Sequence, residues 1–168
     1  MSAVRSEFTP QGRHDPVLRV MTVQLLDAVL AIEVQAYTFP WTRGNFIDSL
    51  AAGYLARALL AEDGELIGYF VAMQGFEEMH LLNLTVAAHH QSQGHARRLL
   101  AELYTLSASC SATAVWLEVR ESNERARLLY EREGFVEAGR RRDYYPAPQG
   151  RREDAVLMTR GVPRRGST

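Results

Sequence analysis

The sequence predicts a single α/β domain built on a mixed sheet. An Asp-Gly hairpin joins two apolar runs, three strand-like runs are each followed by a segment of helical period, and two further strand-like runs close the chain. At 168 residues the chain is one domain by length, and it can bury a core without disulfide or metal staples.

The elements follow in order. Residues 1–17 lack a sustained apolar period and hold Pro10, Gly12 and Pro16, so a loose arm is expected there, with the domain over 18–160 and a basic tail over 161–168. A first strand is expected near 18–21. Thr22 then caps a helix whose apolar positions Leu25, Leu26, Val29, Leu30 and Ile32 recur at three and four. After the aromatic stretch Tyr37, Phe39, Pro40, Trp41, Thr42 caps a short second helix carrying Phe46 and Leu50. Runs 54–61 and 66–74 form the hairpin, turned at Asp63-Gly64. An apolar strand over 80–86 leads through a Gln- and Gly-containing turn into a helix with Ala96, Leu99, Leu100, Leu103 and Leu106 on one side. Residues 113–120 alternate, with Val115, Leu117 and Val119 facing one way and Trp116, Glu118 and Arg120 the other. Ser122 or Asn123 caps the next helix, which turns Ala126, Leu129 and Tyr130 inward and stops at Gly134. Strands over 135–144 and 153–160 end the domain, and no internal repeat is visible.

Composition narrows the function classes. There is no 18-residue apolar run and no basic-apolar-small leader, so neither a membrane span nor a secretory signal is expected. Cys110 is the single cysteine, which fits a reducing, cytoplasmic compartment and reads as inert packing. The net charge of -1 argues against nucleic acid as the main ligand. Residues 1–119 hold 7 Arg and 12 acids, and residues 120–168 hold 12 Arg and 8 acids, so the parts carry -5 and +4. Arg140 to Arg142, Arg151, Arg152, Arg164 and Arg165 could meet an anionic partner or simply be solvated charge. All 19 basic residues are arginine. His89 and His90 point apart in an extended chain and no H-E-x-x-H spacing exists, so no metal is expected. Glu77, Glu78 and His80 precede a central strand and line either the entrance to a site or an exposed acidic loop.

The segment Gln91-Ser92-Gln93-Gly94-His95-Ala96 lies after one strand and opens a helix. A glycine there lets backbone approach a bulky anion, and unpaired N–H groups of the first helical turn favour pyrophosphate. Taken alone, one glycine in this place is more often an ordinary turn. Position alone also leaves Glu118 divided between a proton acceptor and the partner of Arg120 or another arginine. Period alone makes Tyr130 a core residue.

Gln-x-x-Gly-x-Ala after a strand resembles the pyrophosphate loop of the GNAT acetyltransferases. Phe39-Pro40-Trp41, Trp116-Leu117-Glu118-Val119-Arg120, Ser122-Asn123, Leu129-Tyr130-Glu131, Gly134-Phe135, Arg142-Asp143-Tyr144-Tyr145-Pro146 and Glu153-Asp154-Ala155 are similar to blocks of the bacterial ribosomal-protein-alanine N-acetyltransferases within that family, over residues 20–160. The resemblance implies the GNAT fold: a mostly antiparallel mixed sheet with one parallel, splayed central strand pair and flanking helices. It implies acetyl-CoA as cosubstrate, its pantetheine arm on Leu84, Thr85 and Val86 and on Asn123, its pyrophosphate on Ser92, Gln93, Gly94, His95, Ala96 and Arg97. Relatives usually carry Arg where this chain has Ser92, so a phosphate contact is lost or borrowed from Arg97 or Arg98. Glu118 matches the family's base and Tyr130 its acid.

The implied acceptor is the N-terminal amine of alanine on a small-subunit ribosomal protein. An α-amine near pKa 8 is about 10% neutral at pH 7 and a lysine near 10.4 about 0.04%, so a single carboxylate acting through water suffices for a chain terminus. Lysine side chains or a small amine remain an alternative on the same fold, as does a non-catalytic acyl-CoA-binding or ribosome-docking module.

Overall fold

The computed structural model describes residues 14–164, and the outer parts of both expected arms, 1–13 and 165–168, lie outside them. Seven strands form one sheet in the order β1-β2-β3-β4-β5-β7-β6, with β1 Val17–Val20, β2 Leu55–Leu60, β3 Leu66–Gln74, β4 Glu78–Val86, β5 Ala114–Arg120, β6 Val136–Pro146 and β7 Arg152–Gly161. Neighbours are antiparallel except β4 and β5. That parallel pairing runs only from Glu78↔Ala114 to Leu81↔Leu117, after which the strands part. Four helices cover the sheet: α1 Leu26–Ala36, α2 Arg43–Ala51, α3 His95–Ser109 and α4 Glu124–Arg132.

Two cores sandwich the sheet. Leu26, Val29 and Phe46 of α1 and α2 pack on Ala56, Tyr69 and Val71, whereas Leu99, Leu100, Leu103 and Tyr130 of α3 and α4 pack on Ile67, Phe70, Leu117 and Met158. β3 therefore buries side chains on both faces, which explains its nearly unbroken apolar run. Local signals set the boundaries. Thr42 Oγ1 accepts from Asn45 N–H and Asn45 Oδ1 accepts from Thr42 N–H, a reciprocal cap for α2. Asn123 caps α4, and Gly134, at φ 89°, ends it.

Three expectations are corrected. Thr22 makes no side-chain cap; a 3-10 turn, Val23–Leu25, carries the chain into α1 instead. Glu78 and His80 do not precede β4 but lie within it, because Thr113 N–H bonded to Glu77 C=O starts the parallel pairing earlier. His89 and His90 do not diverge: the chain is not extended there but a 3-10 turn, Ala88–His90.

Gly68 of β3 allows β4 to lie close. A Cβ at this position would sit 2.7 Å from Thr85 C=O, 3.2 Å from Val86 Cα and 3.3 Å from Leu99 Cδ1. Gly68→Ala should therefore destabilise the fold by about 1–3 kcal/mol through overpacking against backbone. Urea melts of the two proteins measure it as a lowered midpoint at unchanged slope.

Candidate active site

The parting of β4 and β5 opens a cleft of about 280 Å³, lined among others by Glu33, Tyr37, Leu84, Glu118, Asn123 and Tyr130. Sequence alternation puts Val115, Leu117 and Val119 into the α3–α4 core and leaves Glu118 on the opposite face of β5. Its side chain is only 7% exposed, yet both oxygens have cationic or protic partners: His80 Nε2 at 2.6 Å from Oε2 and Arg141 Nε at 3.3 Å from Oε1. His80 is fixed from its other side by stacking on Trp116, with ring centroids 3.6 Å apart. Arg120 does not pair with Glu118. It donates to Glu153 Oε1 and Pro146 C=O and lies over the Tyr145 ring. Each Glu118 oxygen keeps lone-pair capacity for a further donor from the cleft.

Tyr130 of α4 is buried edge-on against Phe135 and reaches the same cleft. Burial, with Tyr37 and Tyr145 nearby, pushes its phenol above the ordinary range, so it holds its proton. Asn123 spends its carbonyl oxygen on Ala126 N–H, so the amide NH₂ is the part of this side chain left for a ligand.

The edge of β4 is more selective than expected. Leu84 C=O accepts from Tyr37 Oη and Val86 C=O from Gln91 Nε2, which turns alternate residues toward the gap. Thr85 lies opposite Tyr69 of β3, and its buried hydroxyl is bonded to Tyr37 and Asn83. Thr85 meets the cleft through Tyr37 and Asn83, which line it, and the Tyr37 phenol is pushed up to about 12, chiefly by burial.

Beyond β4, Ser92 (φ 61°) and Gly94 (φ 83°) alternate into left-handed backbone at the start of α3. Arg98 N–H bonds Gly94 C=O, and among the described residues no backbone acceptor is assigned to the N–H groups of Gly94, His95, Ala96 and Arg97. Unpaired amides at the start of a helix are donors available to an anion. Nothing lies within 4 Å of where a Gly94 Cβ would stand, so the approach is open. A cation stands beside Ser92: Arg125 of α4, whose Nη2 donates to Ser92 Oγ at 3.2 Å. Arg97 is instead held by Glu133 at 2.9 Å.

Comparison with known proteins identifies the family. Residues 26–135 match the model of the acetyltransferase (GNAT) family. The chain belongs to that family. It is 38% identical over 133 residues to the [ribosomal protein bS18]-alanine N-acetyltransferase of Escherichia coli K12, covering 79% of this chain and 88% of the relative. Identity is also 38% over 127 residues, 76% and 86% of the two chains, with the protein of the same name from Haemophilus influenzae. The crystal structure of the ribosomal-protein-S18-alanine N-acetyltransferase from Escherichia coli superposes with a TM-score of 0.80 at 33% identity, covering 91% of this chain and 97% of that one.

Two residues of this GNAT site escape sequence reasoning. Arg125 offers no pattern that points it at Ser92. Glu33 does carry a signal: it stands four residues after Val29, a carboxylate on the buried stripe of α1. It is 1% exposed and accepts hydrogen bonds from Tyr69 Oη, from Asn83 Nδ2 at 3.2 Å and from Trp41 N–H at 3.0 Å. It thereby ties the Phe39-Pro40-Trp41 segment to β3 and β4. Burial and the Glu33 charge raise the Tyr69 phenol well above its usual value. Glu33→Gln keeps the shape but sets an NH₂ against one of these donors. The expected loss is about 1–3 kcal/mol of stability, read in urea melts followed by tryptophan fluorescence.

Proposed function

We propose that this GNAT enzyme transfers the acetyl group of acetyl-CoA to the α-amine of the N-terminal alanine of ribosomal protein bS18, in the cytoplasm and by direct transfer within a ternary complex. The observation that carries the reading is the cleft at the β4–β5 parting, where Glu118 and Tyr130 arrive from different elements on one cavity. The names of the relatives at 38% identity support the acceptor.

The residues present suit acetyl-CoA. The open amide cradle at Gly94–Arg97, with Arg125 beside Ser92, matches a pyrophosphate. The Leu84–Val86 edge and the Asn123 NH₂ suit the amides of a pantetheine arm. The bound cosubstrate supplies a thioester whose carbonyl carbon accepts the amine. Glu118 takes the proton released as the N–C bond forms, directly or through one water, and passes it to His80 at 2.6 Å. Tyr130 donates to the sulfur as the C–S bond breaks. Its raised phenol would hand a proton to a solvated thiolate reluctantly, but desolvation in the same cleft raises the thiol's affinity for protons as well.

The docking alternative loses much of its basic patch to internal contacts. Arg140 pairs with Glu121 and Glu137, Arg141 with Glu118, and Arg152 with the carbonyls of Asp143 and Tyr144. Incubation with acetyl-CoA and peptides bearing either a free N-terminal alanine or a blocked terminus and an internal lysine should acetylate the first alone, as read by mass. Transfer confined to lysine would overturn the acceptor, and binding without transfer would favour the module reading.

Glu118→Gln should lower turnover by about 10²-fold or more near neutral pH. The deficit should narrow as pH rises past about 8, where the α-amine no longer needs a base. A pH–rate profile unchanged in shape would remove the base assignment. Tyr130→Phe should leave calorimetric acetyl-CoA affinity intact while slowing thiol release, followed with a thiol-reactive dye; wild-type turnover would remove its role.

A further inference from the structure

We propose that Glu65, His89 and His90 form a binding site for a divalent transition-metal ion of the zinc type, outside the acetyl-transfer cleft. Four of the chain's five histidines, His14, His89, His90 and His95, stand at one corner between the β2–β3 turn and the start of α3. Adjacent residues on a strand would send their rings to opposite faces. The 3-10 turn Ala88–His90, closed by His90 N–H to Ala87 C=O at 2.9 Å, sends both to the same side, with ring centroids 4.2 Å apart. Both Nε2 atoms converge on the same oxygen, Glu65 Oε1, at 2.6 Å for His89 and 3.2 Å for His90. One candidate ligand atom from each of the three residues falls within a 4.8 Å span.

The donor set selects the ion. Two imidazole nitrogens and one carboxylate suit zinc, cobalt or nickel, whereas magnesium and calcium favour oxygen ligands. Ligand bonds of about 2.0–2.2 Å in a tetrahedral site place neighbouring ligand atoms about 3.3–3.5 Å apart. The His90–Glu65 separation already approaches this. His89 must retreat by somewhat under about 1 Å to match that spacing, which its 67% side-chain exposure permits. The open side leaves the fourth position to water. His90, at 18% exposure, is the anchored ligand.

The site stands at the entry to the amide cradle. Gln93 Nε2 reaches His89 C=O at 3.5 Å, and Gln93 Oε1 lies 3.3 Å from His95 Nε2 on the first residue of α3. An ion would therefore clamp the turn before β3 to the segment that feeds the cradle. Neither Glu118, Tyr130 nor any other residue of the transfer cleft takes part, so the site stands or falls independently of the proposed reaction.

The test uses the untagged full chain, stripped with a chelator and titrated with zinc chloride by calorimetry, with cobalt(II) absorption as a reporter of geometry. One ion per chain with a Kd of about 10 μM or tighter, a tetrahedral cobalt spectrum and a zinc-dependent rise in melting temperature are expected. A partner that merely orients a metal ligand contributes about 10- to 100-fold in affinity, so His89→Ala and Glu65→Gln should each weaken binding at least tenfold. Both side chains are exposed, and circular dichroism of the metal-free variants checks that the fold persists. No binding at zinc up to about 1 mM overturns the site, as does binding that survives both substitutions unchanged.

Discussion

The site depends on a parallel strand pair that stops early. β4 and β5 share a ladder over only four residue pairs and then diverge, although each remains paired on its other side, β4 to β3 and β5 to β7. Divergence is a deliberate arrangement only if something occupies the space and satisfies the freed backbone, because unpaired buried amides and carbonyls are costly. Here Tyr37 Oη caps Leu84 C=O from above the gap and Gln91 Nε2 caps Val86 C=O at its far end. Tyr37 is held in turn by Thr85, and Thr85 by Asn83, whose amide bonds the Glu33 carboxylate. A chain of polar contacts thus runs from the buried face of α1 to the open edge of β4. The cleft is kept open by side chains committed to holding it open.

The same economy governs charge. Glu133, at the end of α4, is met by Arg97 of α3 and Arg160 of β7, so two helices and a strand are referred to one carboxylate. Glu153 likewise gathers Arg120 and the Ser122 N–H at the turn before α4. These contacts position α4, and α4 carries Tyr130, the Asn123 cap and Arg125. Some of the arginine in the C-terminal part of the chain, Arg120 and Arg160, is thus committed to internal contacts that place the helix facing the cleft. Arginine suits such contacts better than lysine, since its planar fork can serve two acceptors from two nitrogens, as Arg140 does with Glu137 from Nε and Glu121 from Nη1.

Much of the fold is legible in the residues because it rests on local rules. The Asp63-Gly64 turn, the Thr42 cap, the alternation through Glu118 and the stop at Gly134 each follow from the conformational preference of one or two residues. What is not legible is contact between segments distant in sequence. Nothing local indicates that Glu118 meets His80, 38 positions away, or that Arg125 reaches Ser92, 33 positions away. Thr22 shows the opposite failure: a residue with the right preference for a cap goes unused because Val23–Leu25 tightens into a 3-10 turn. His89 and His90 show a third, since the inference that their rings diverge is sound for a strand and wrong for the turn that the chain adopts.

The pair Glu118–His80 bears on how a single buried carboxylate can serve as base over many cycles. In the proposed reaction a base at 7% exposure must lose its proton again before the next acceptor arrives, and its own burial hinders direct exchange with solvent. An imidazole at 2.6 Å offers the next station. At 12% exposure the ring stands nearer to water than Glu118 does. Stacking on Trp116 fixes the ring plane, so Nε2 stays aligned with the carboxylate while Nδ1 is left to exchange. Arg141 Nε stands 3.3 Å from the other oxygen, so the carboxylate is held between an imidazole and a guanidinium. The proposed relay therefore needs both neighbours in place, His80 as the exit from the cleft and Arg141 to hold the orientation of the carboxylate.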